Sequence, residues 1–365
     1  MIAEIERTNG SSLPTIDEHL REMLALHFHP QHGSRFWLAR QSVLGFDVCD
    51  RVRCVDDLSL LGFMESQQLA GQSVWDFVPQ GMQQDRRQFL TAETGGTTGD
   101  PVPAVYSHED FEAAFVTPFV EVATQIGFPT GGQWLFVGPT GPHIIGKAQR
   151  RLAEEMGAPD PWCVDFDPRW VKRLTPGTFA AKRYVDHVLD QAAATLRREE
   201  ISVLFTTPPI LQRLAELLDD SQRERIGGVH YGGMALSAEQ INYFREQFSQ
   251  AVHLSGYGNT LFGCALEVED TQRQSVDYYP RSPRLLFEVL CDDEEHSERQ
   301  ADEKFGQLVF HRFDRSMLLV GIKERDWATL IPPNAAARQA GLTGLGIRNP
   351  GPRAETQSKL RLGIY

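Results

Sequence analysis

The sequence predicts an α/β protein, with layered, mostly parallel sheets and helices, plus a small antiparallel β subdomain. Three observations carry this. Between residues 133 and 258, short apolar runs alternate with amphipathic stretches, the strand–helix–strand order of a parallel sheet covered on both faces. After Pro283 three β-rich runs follow with no helical stretch between them. The composition, 41% hydrophobic and 23% charged over 365 residues, supports one large domain or two smaller ones.

In chain order, IDEHLREMLALHF predicts a helix with apolar positions at Ile16, Leu20, Met23, Leu24 and Leu26. His27, His29 and His32 are closely spaced, but with no cysteine or carboxylate nearby they read as a packed helix end rather than a metal site. VDDLSLLGF (55–63) predicts a short helix capped by Asp56 or Asp57. Ser107 to Asp110 has capping-box spacing and opens a helix that Pro118 should kink. Strands are expected at 133–138, 201–207, 228–231 and 251–258. Helices are expected at KAQRRLAEEMG, at 182–200, from Pro208, and after a second capping box at Ser237–Gln240. RLLFEVL, GQLVFHRF and MLLVGI form the β subdomain, about 283–331, of a main domain spanning 1–331. The acidic stretch 291–304 reads as a solvated loop, and 332–365 as a loop-rich tail with little core.

The net charge of −13, with basic residues only in short pairs, argues against nucleic acid as a partner. The first residues do not resemble a secretory signal, and no apolar run is long enough to span a bilayer. Five cysteines without a C-x-x-C point to free thiols in a reducing cytoplasm.

The densest local signal is TAETGGTTGDPVP, from Thr91 to Pro103. Glycine lets backbone approach a ligand, and successive N–H groups in such a turn can cradle a phosphate. Threonine hydroxyls at Thr94, Thr97 and Thr98 would add donors. A solvent-exposed hairpin tip explains the same residues. Two rival motifs are weaker. Gly141-x4-Gly146-Lys147 has P-loop spacing, but Ala148 replaces the magnesium-binding Ser or Thr and Pro142 removes an N–H. Ser255 in LSGYG fails the nucleophile-elbow spacing because residue 253 is histidine.

Four stretches taken together resemble the adenylate-forming enzymes, the superfamily of acyl- and aryl-CoA ligases, adenylation domains and luciferases. Thr94-Gly-Gly-Thr-Thr-Gly-Asp-Pro101 is similar to their phosphate loop, and HYGGMALS (230–237) to their adenine-side loop. SGYGNT (255–260) is similar to Y-G-x-T-E, and MLLVGIKERDWATL (317–330) to M-P-L-I-R-Y-R-T-G-D-L. They occur in the family's order, and DDLSLLGF resembles the phenylacetate-CoA ligase branch. The resemblance implies that fold's N-terminal domain. It also implies a phosphate cradle from Thr94, Gly95, Gly96, Thr97, Thr98 and Gly99, with Gly232, Gly233 and Met234 along the adenine. Tyr257 and Gly258 would face the purine, Thr260 the α-phosphate, and Asp326 the ribose. Of these, Thr260, Thr97 and Thr98 would be catalytic. His143, Gly256 and Phe262 are expected near an aromatic acid, with a surface loop residue as the alternative for His143 and a core residue for Phe262.

ATP and magnesium are the implied cofactors. Val102, however, replaces the family's loop lysine, and Leu261 replaces its magnesium-binding glutamate. The family's C-terminal domain is expected to be absent, so thioester formation by this chain alone is not expected. Overall the chain resembles the short adenylating proteins of phenazine antibiotic biosynthesis, as in the D-alanylgriseoluteic acid pathway. That implies a phenazine carboxylate activated as its acyl-adenylate and handed to a partner reductase or acyl acceptor protein. A degenerate member that binds without chemistry is the alternative.

Overall fold

The computed structural model describes residues 14–96, 99–175, 177–268, 275–291 and 304–353. Thr97, Thr98, most of the acidic stretch and residues 354–365 lie outside them.

Fourteen strands are described: β1 (Met64–Glu65), β2 (Phe89–Glu93), β3 (Pro103–Ser107), β4 (Gln133–Gly138), β5 (Trp162–Asp165), β6 (Ile201–Thr206), β7 (Gly228–Gly232), β8 (Val252–Asn259), β9 (Gly263–Glu267), β10 (Asp277–Tyr279), β11 (Leu285–Leu290), β12 (Phe305–Phe313), β13 (Leu318–Ile331) and β14 (Gly346–Pro352). All but β2 and β3 join one sheet in the order β11-β12-β13-β14-β10-β9-β8-β7-β6-β4-β5, with β1 added to β13. The neighbours β5, β4, β6, β7 and β8 pair in parallel. Along the order from β8 to β11 successive strands pair antiparallel, while β1 joins β13 in parallel. The expected α/β class holds, and the antiparallel part continues the parallel ladder through β8 and β9.

The crossovers fix where loops gather. The chain leaves β4, returns at the edge as β5, then passes back beyond β4 to β6. Right-handed crossovers in opposite directions put their helices on opposite faces. Accordingly Phe179–Arg198, Pro208–Leu217 and Ala238–Gln247 neighbour one another, while Ile144–Glu155 packs with the helical stretch 108–125. Strand order reverses between β4 and β6, so a crevice is expected beyond their carboxyl ends. Apolar strand faces such as Leu135, Val137, Val203, Leu204 and Val229 are buried beneath it.

The antiparallel half buries charge as well as apolar surface. Asp314 accepts two bonds from Arg284, both 2.7 Å, and one of 2.6 Å from Arg312. Arg312 also lies 3.7 Å from the Tyr106 ring centroid and donates to the Val105 and Leu261 carbonyls. Burial alone would raise the Asp314 carboxyl, but the two guanidiniums hold it below the usual carboxylate range. Nearby Asp110 is raised, first by burial and then by the charge of Asp314.

Several local expectations need correction. Within the expected tail, the described residues 332–353 are not loop alone: Ala335–Gln339 is helical, and β14 lies inside the sheet between β13 and β10. Leu342 and Ile347 are fully buried. Residues 55–61 form a 3-10 helix capped at Cys54, with Asp57 reaching back to the Arg53 and Cys54 N–H groups. Ser107 caps its helix, but the Asp110 carboxylate accepts from the Ser316 N–H instead of completing a box. Pro118, which lacks an N–H, follows a π-helical turn at Glu112–Val116. His27 is buried against the Asp314 carbonyl at 2.9 Å, while His29 and His32 stack on each other. Ser255 is buried, its hydroxyl 2.8 Å from that of Tyr278.

Candidate active site at the carboxyl ends of the parallel strands

The glycine–threonine stretch joins two paired strands, and the base of this hairpin meets loops at the strand ends. Strands β2 and β3 pair from Phe89↔Ser107 to Glu93↔Pro103. The loop is clasped at its base: Thr94 N–H donates to the Val102 carbonyl, and Val102 N–H donates to Thr94 Oγ1, both 2.9 Å. Gly96 adopts φ +58, where a side chain would be strained, and a Cβ there would also press on Gly99. Gln67 holds the far side, exchanging hydrogen bonds with Asp100 beside Gly99. Three strand-end elements meet this hairpin. Glu93 N–H donates to the Pro142 carbonyl of the β4 loop at 2.9 Å. Arg169, following β5, reaches Glu93 Oε2 at 2.7 Å and the Thr94 carbonyl at 3.3 Å. The Thr260 hydroxyl lies 3.5 Å from the Glu93 carbonyl, and Tyr106 donates to the Thr260 carbonyl at 2.9 Å.

A second group forms where β7 and β8 end. Gly232 pairs with Gly256, and a Cβ on Gly232 would sit 2.5 Å from the Gly256 carbonyl oxygen. Gly233 turns the chain at φ +82 and is exposed, and the following Met234 is half-buried. Ala235 comes against Gly351 of β14. Tyr257, one residue beyond Gly256, donates to Asp326 Oδ2 at 3.0 Å. Gly258 follows, its missing side chain leaving room for the Gly263 backbone.

Asp326 is only 7% exposed, and its Oδ1 makes no hydrogen bond; the Arg325 Nε lies 3.5 Å away. Burial raises its carboxyl above the usual range. Glu324, 2.6 Å from Asn259 Nδ2, is pushed up to about 8 by burial and then by the charge of Asp326. The Tyr257 hydroxyl is raised well above its ordinary value, first by burial and then by Asp326. A buried carboxylate with an idle oxygen suits a ligand hydroxyl that would donate to it.

The residues expected near an aromatic acid divide. His143 caps the helix Ile144–Glu155 beyond β4 and is mostly buried. Gly256 lies on β8, where its absent Cβ would come 3.4 Å from the His230 ring. Phe262 takes the core alternative: it is fully buried, packing against Phe287 and Phe310 and backing Tyr257 from 5.9 Å.

Five neighbours escaped sequence reasoning in their own right: Glu93, Arg169, Thr207, His230 and Glu324. His230, on β7, lies between the Phe119 and Phe205 rings, 4.9 and 4.3 Å away. Its Nδ1–H donates to the Leu254 carbonyl at 2.7 Å, and burial lowers its pKa to about 4, so the ring is neutral. Thr207, after β6, has a buried hydroxyl without a partner. A C-terminal strand position was the available signal for Arg169 and Thr207.

The fit to magnesium is poorer than the fit to a nucleotide. Leu261 and Val102 are buried and offer neither an oxygen ligand nor a cation. Among the described residues no three His, Cys, Asp or Glu side chains gather to hold a metal ion. Also among them, no helix is long and apolar enough to cross a membrane.

No family model matches the chain, and no curated protein sequence matches it. Solved structures do. An open conformation of 2-hydroxyisobutyryl-CoA ligase, in complex with 2-HIB-AMP and CoA, is similar with a TM-score of 0.63 and 14% identity, covering 92% of this chain and 72% of the ligase. The ligase in the postadenylation state with 2-HIB-AMP gives 0.60 and 14%, covering 90% and 66%. In the thioesterification state, with 2-HIB-AMP and CoA, it gives 0.58 and 15%, covering 92% and 66%. The α/β fold described above is that of the N-terminal domain of adenylate-forming enzymes.

Proposed function

We propose that this protein uses ATP to activate an aryl carboxylate, a phenazine carboxylate in antibiotic biosynthesis, as its acyl-adenylate. The observation that carries the reading is convergence. The clasped glycine hairpin, the Gly232–Gly233 turn and the Tyr257–Asp326 pair all lie at the carboxyl ends of the strands or against the loops that leave them. Fold likeness to a ligase solved with an acyl-AMP adds to it.

In this reading Asp326 accepts from the ribose hydroxyls and Tyr257 lies along the purine beside Gly232, Gly233, Met234 and Gly258. Thr94, Gly95, Gly96, Thr97, Thr98 and Gly99 wrap the phosphates, and Thr260 donates to the α-phosphate. The substrate carboxylate oxygen forms a bond to the α-phosphorus. The bond to the bridging oxygen breaks, and pyrophosphate leaves with that electron pair. Holding these groups in line and stabilising charge is most of the catalytic task. Magnesium would arrive on the triphosphate's own oxygens. The mixed anhydride then passes to a partner, such as a reductase or an acyl acceptor, in the cytoplasm.

ATP–pyrophosphate exchange with a panel of aryl acids tests the reading. Exchange with a phenazine carboxylate is expected, and its absence with every acid, partner present, rejects the enzyme. Val102 and Leu261 favour a second reading, a member that binds nucleotide or acid without chemistry. Calorimetric binding of ATP and acid with no acyl-AMP by mass spectrometry would select it.

A further inference from the structure

Resting on the nucleotide reading above, we infer that Arg169 is the cation of the phosphate end. Its guanidinium binds the triphosphate of ATP and then the departing pyrophosphate, supplying positive charge that Val102 does not.

Arg169 is built into place from behind. It follows β5, and its N–H donates to the Asp167 carboxylate at 2.8 Å. The Asp167 N–H in turn donates to the Tyr184 hydroxyl at 2.8 Å. From this anchored backbone the side chain reaches the base of the glycine hairpin, to Glu93 Oε2 and the Thr94 carbonyl. Both contacts use one terminal nitrogen, Nη2. The Nε atom is buried and has no hydrogen-bond partner, while the side chain as a whole is 33% exposed. A guanidinium offers five donors in a planar fork that matches two phosphate oxygens at once. Its present partners leave part of that fork idle at the mouth of the loop.

The charge balance of the cleft points the same way. Glu93 and Asp326 both lie beside it, and the chain carries a net charge of −13. A triphosphate entering among these acids needs a compensating cation. Val102 and Leu261 are apolar and buried, so neither provides one. Arg169 contacts the first residue of the loop, where it can turn from Glu93 and Thr94 to the incoming phosphates without moving the helix that bears it.

Calorimetry on the full chain tests this with ATP, AMP and pyrophosphate as separate probes. Arg169→Gln should weaken ATP and pyrophosphate by about tenfold or more while AMP changes by less than about threefold, as expected for losing a charge-assisted contact to the outer phosphates. Arg169→Lys, which keeps the charge without the fork, should recover part of the ATP affinity. Glu93→Gln should retain ATP affinity, since in this account the carboxylate is only the resting partner. Three results overturn the inference while leaving the nucleotide reading intact: equal losses for AMP and ATP, a Glu93→Gln defect as large as that of Arg169→Gln, or no change in Arg169→Gln. If the wild-type protein binds neither ATP nor AMP, the nucleotide reading fails and this inference with it. Circular dichroism of each variant separates a lost contact from a lost fold.

Discussion

The parallel half of the sheet ends in open glycine-bearing loops, whereas the antiparallel half carries a buried ionic network and delivers its candidate ligand group, Asp326, from inside a strand. At the parallel strand ends, recognition would rest on backbone and on hydrogen bonds between loops, such as Glu93 to Pro142 and Arg169 to Thr94. On the other side Asp326 is fixed by β13 pairing with both β12 and β14, and by the Tyr257 hydroxyl. In the proposed reading, the difference separates a preorganised nucleoside end from a phosphate end that must adjust around its ligand.

Four perturbations break or sharpen that contrast. The largest effect is expected for Asp314→Ala, which strands the Arg284 and Arg312 guanidiniums in the interior. Removing one partner of a buried ion network typically costs about 3–5 kcal/mol, to be read by urea unfolding. A cost near that of an exposed pair, below about 1 kcal/mol, would show that buried charge does not hold the antiparallel half.

Asp326→Ala comes next. Losing the acceptor proposed for the ribose should weaken ATP and AMP alike, by about tenfold, in contrast to the selective loss expected at Arg169. Selective loss of ATP alone would reverse the assignment of the two ends.

Glu324→Gln gives a smaller, pH-dependent effect. With its carboxyl raised from 4.5 to about 8, the folded state keeps a proton that the unfolded chain releases. That contribution is complete below the unfolded pKa, declines as pH rises and is gone above about 8. The variant should therefore gain melting temperature relative to wild type as pH rises from about 5 to about 9, and parallel curves would contradict the shift. Lys147→Ala should change nucleotide affinity least, within about threefold, as for a residue outside the phosphate contacts. A large loss there would revive the P-loop spacing at Gly141–Lys147.

The parallel half was the more legible of the two. Four of its five strands were expected, β4 and β6 as apolar runs, and the following helices announce themselves through Pro208 and Ser237; the short, largely exposed β5, WCVD, was not. The glycine hairpin, Tyr257 and Asp326 were visible because each lies within a short linear motif. Arg169 was not, since it belongs to no motif and its partner Glu93, inside the glycine–threonine stretch, lies 76 positions away. His230 opens the quoted HYGGMALS stretch, but its packing was not legible there, because its neighbours Phe119, Phe205 and Gly256 come from three separate elements. Strand β14 escaped because GIRNPGP has a single large apolar residue, Ile347, and two prolines. Its Asn349 even adopts φ +48, so the strand persists through its partners rather than its own propensity.

The placement of β14 bears on how the chain can be made. It is the last described strand, yet it fills the gap between β13 and β10, and its Pro352 stands opposite Asp326. During synthesis the parallel strands β4 to β8 can assemble as they emerge, whereas β10 and β13 must wait for residues beyond 345 before their edges are covered. Until then both present unpaired backbone, the condition under which a nascent sheet is most open to wrong pairing. Ribosome-stalled chains ending shortly before β14 should therefore be protease-sensitive around β13 and resistant across β4 to β8.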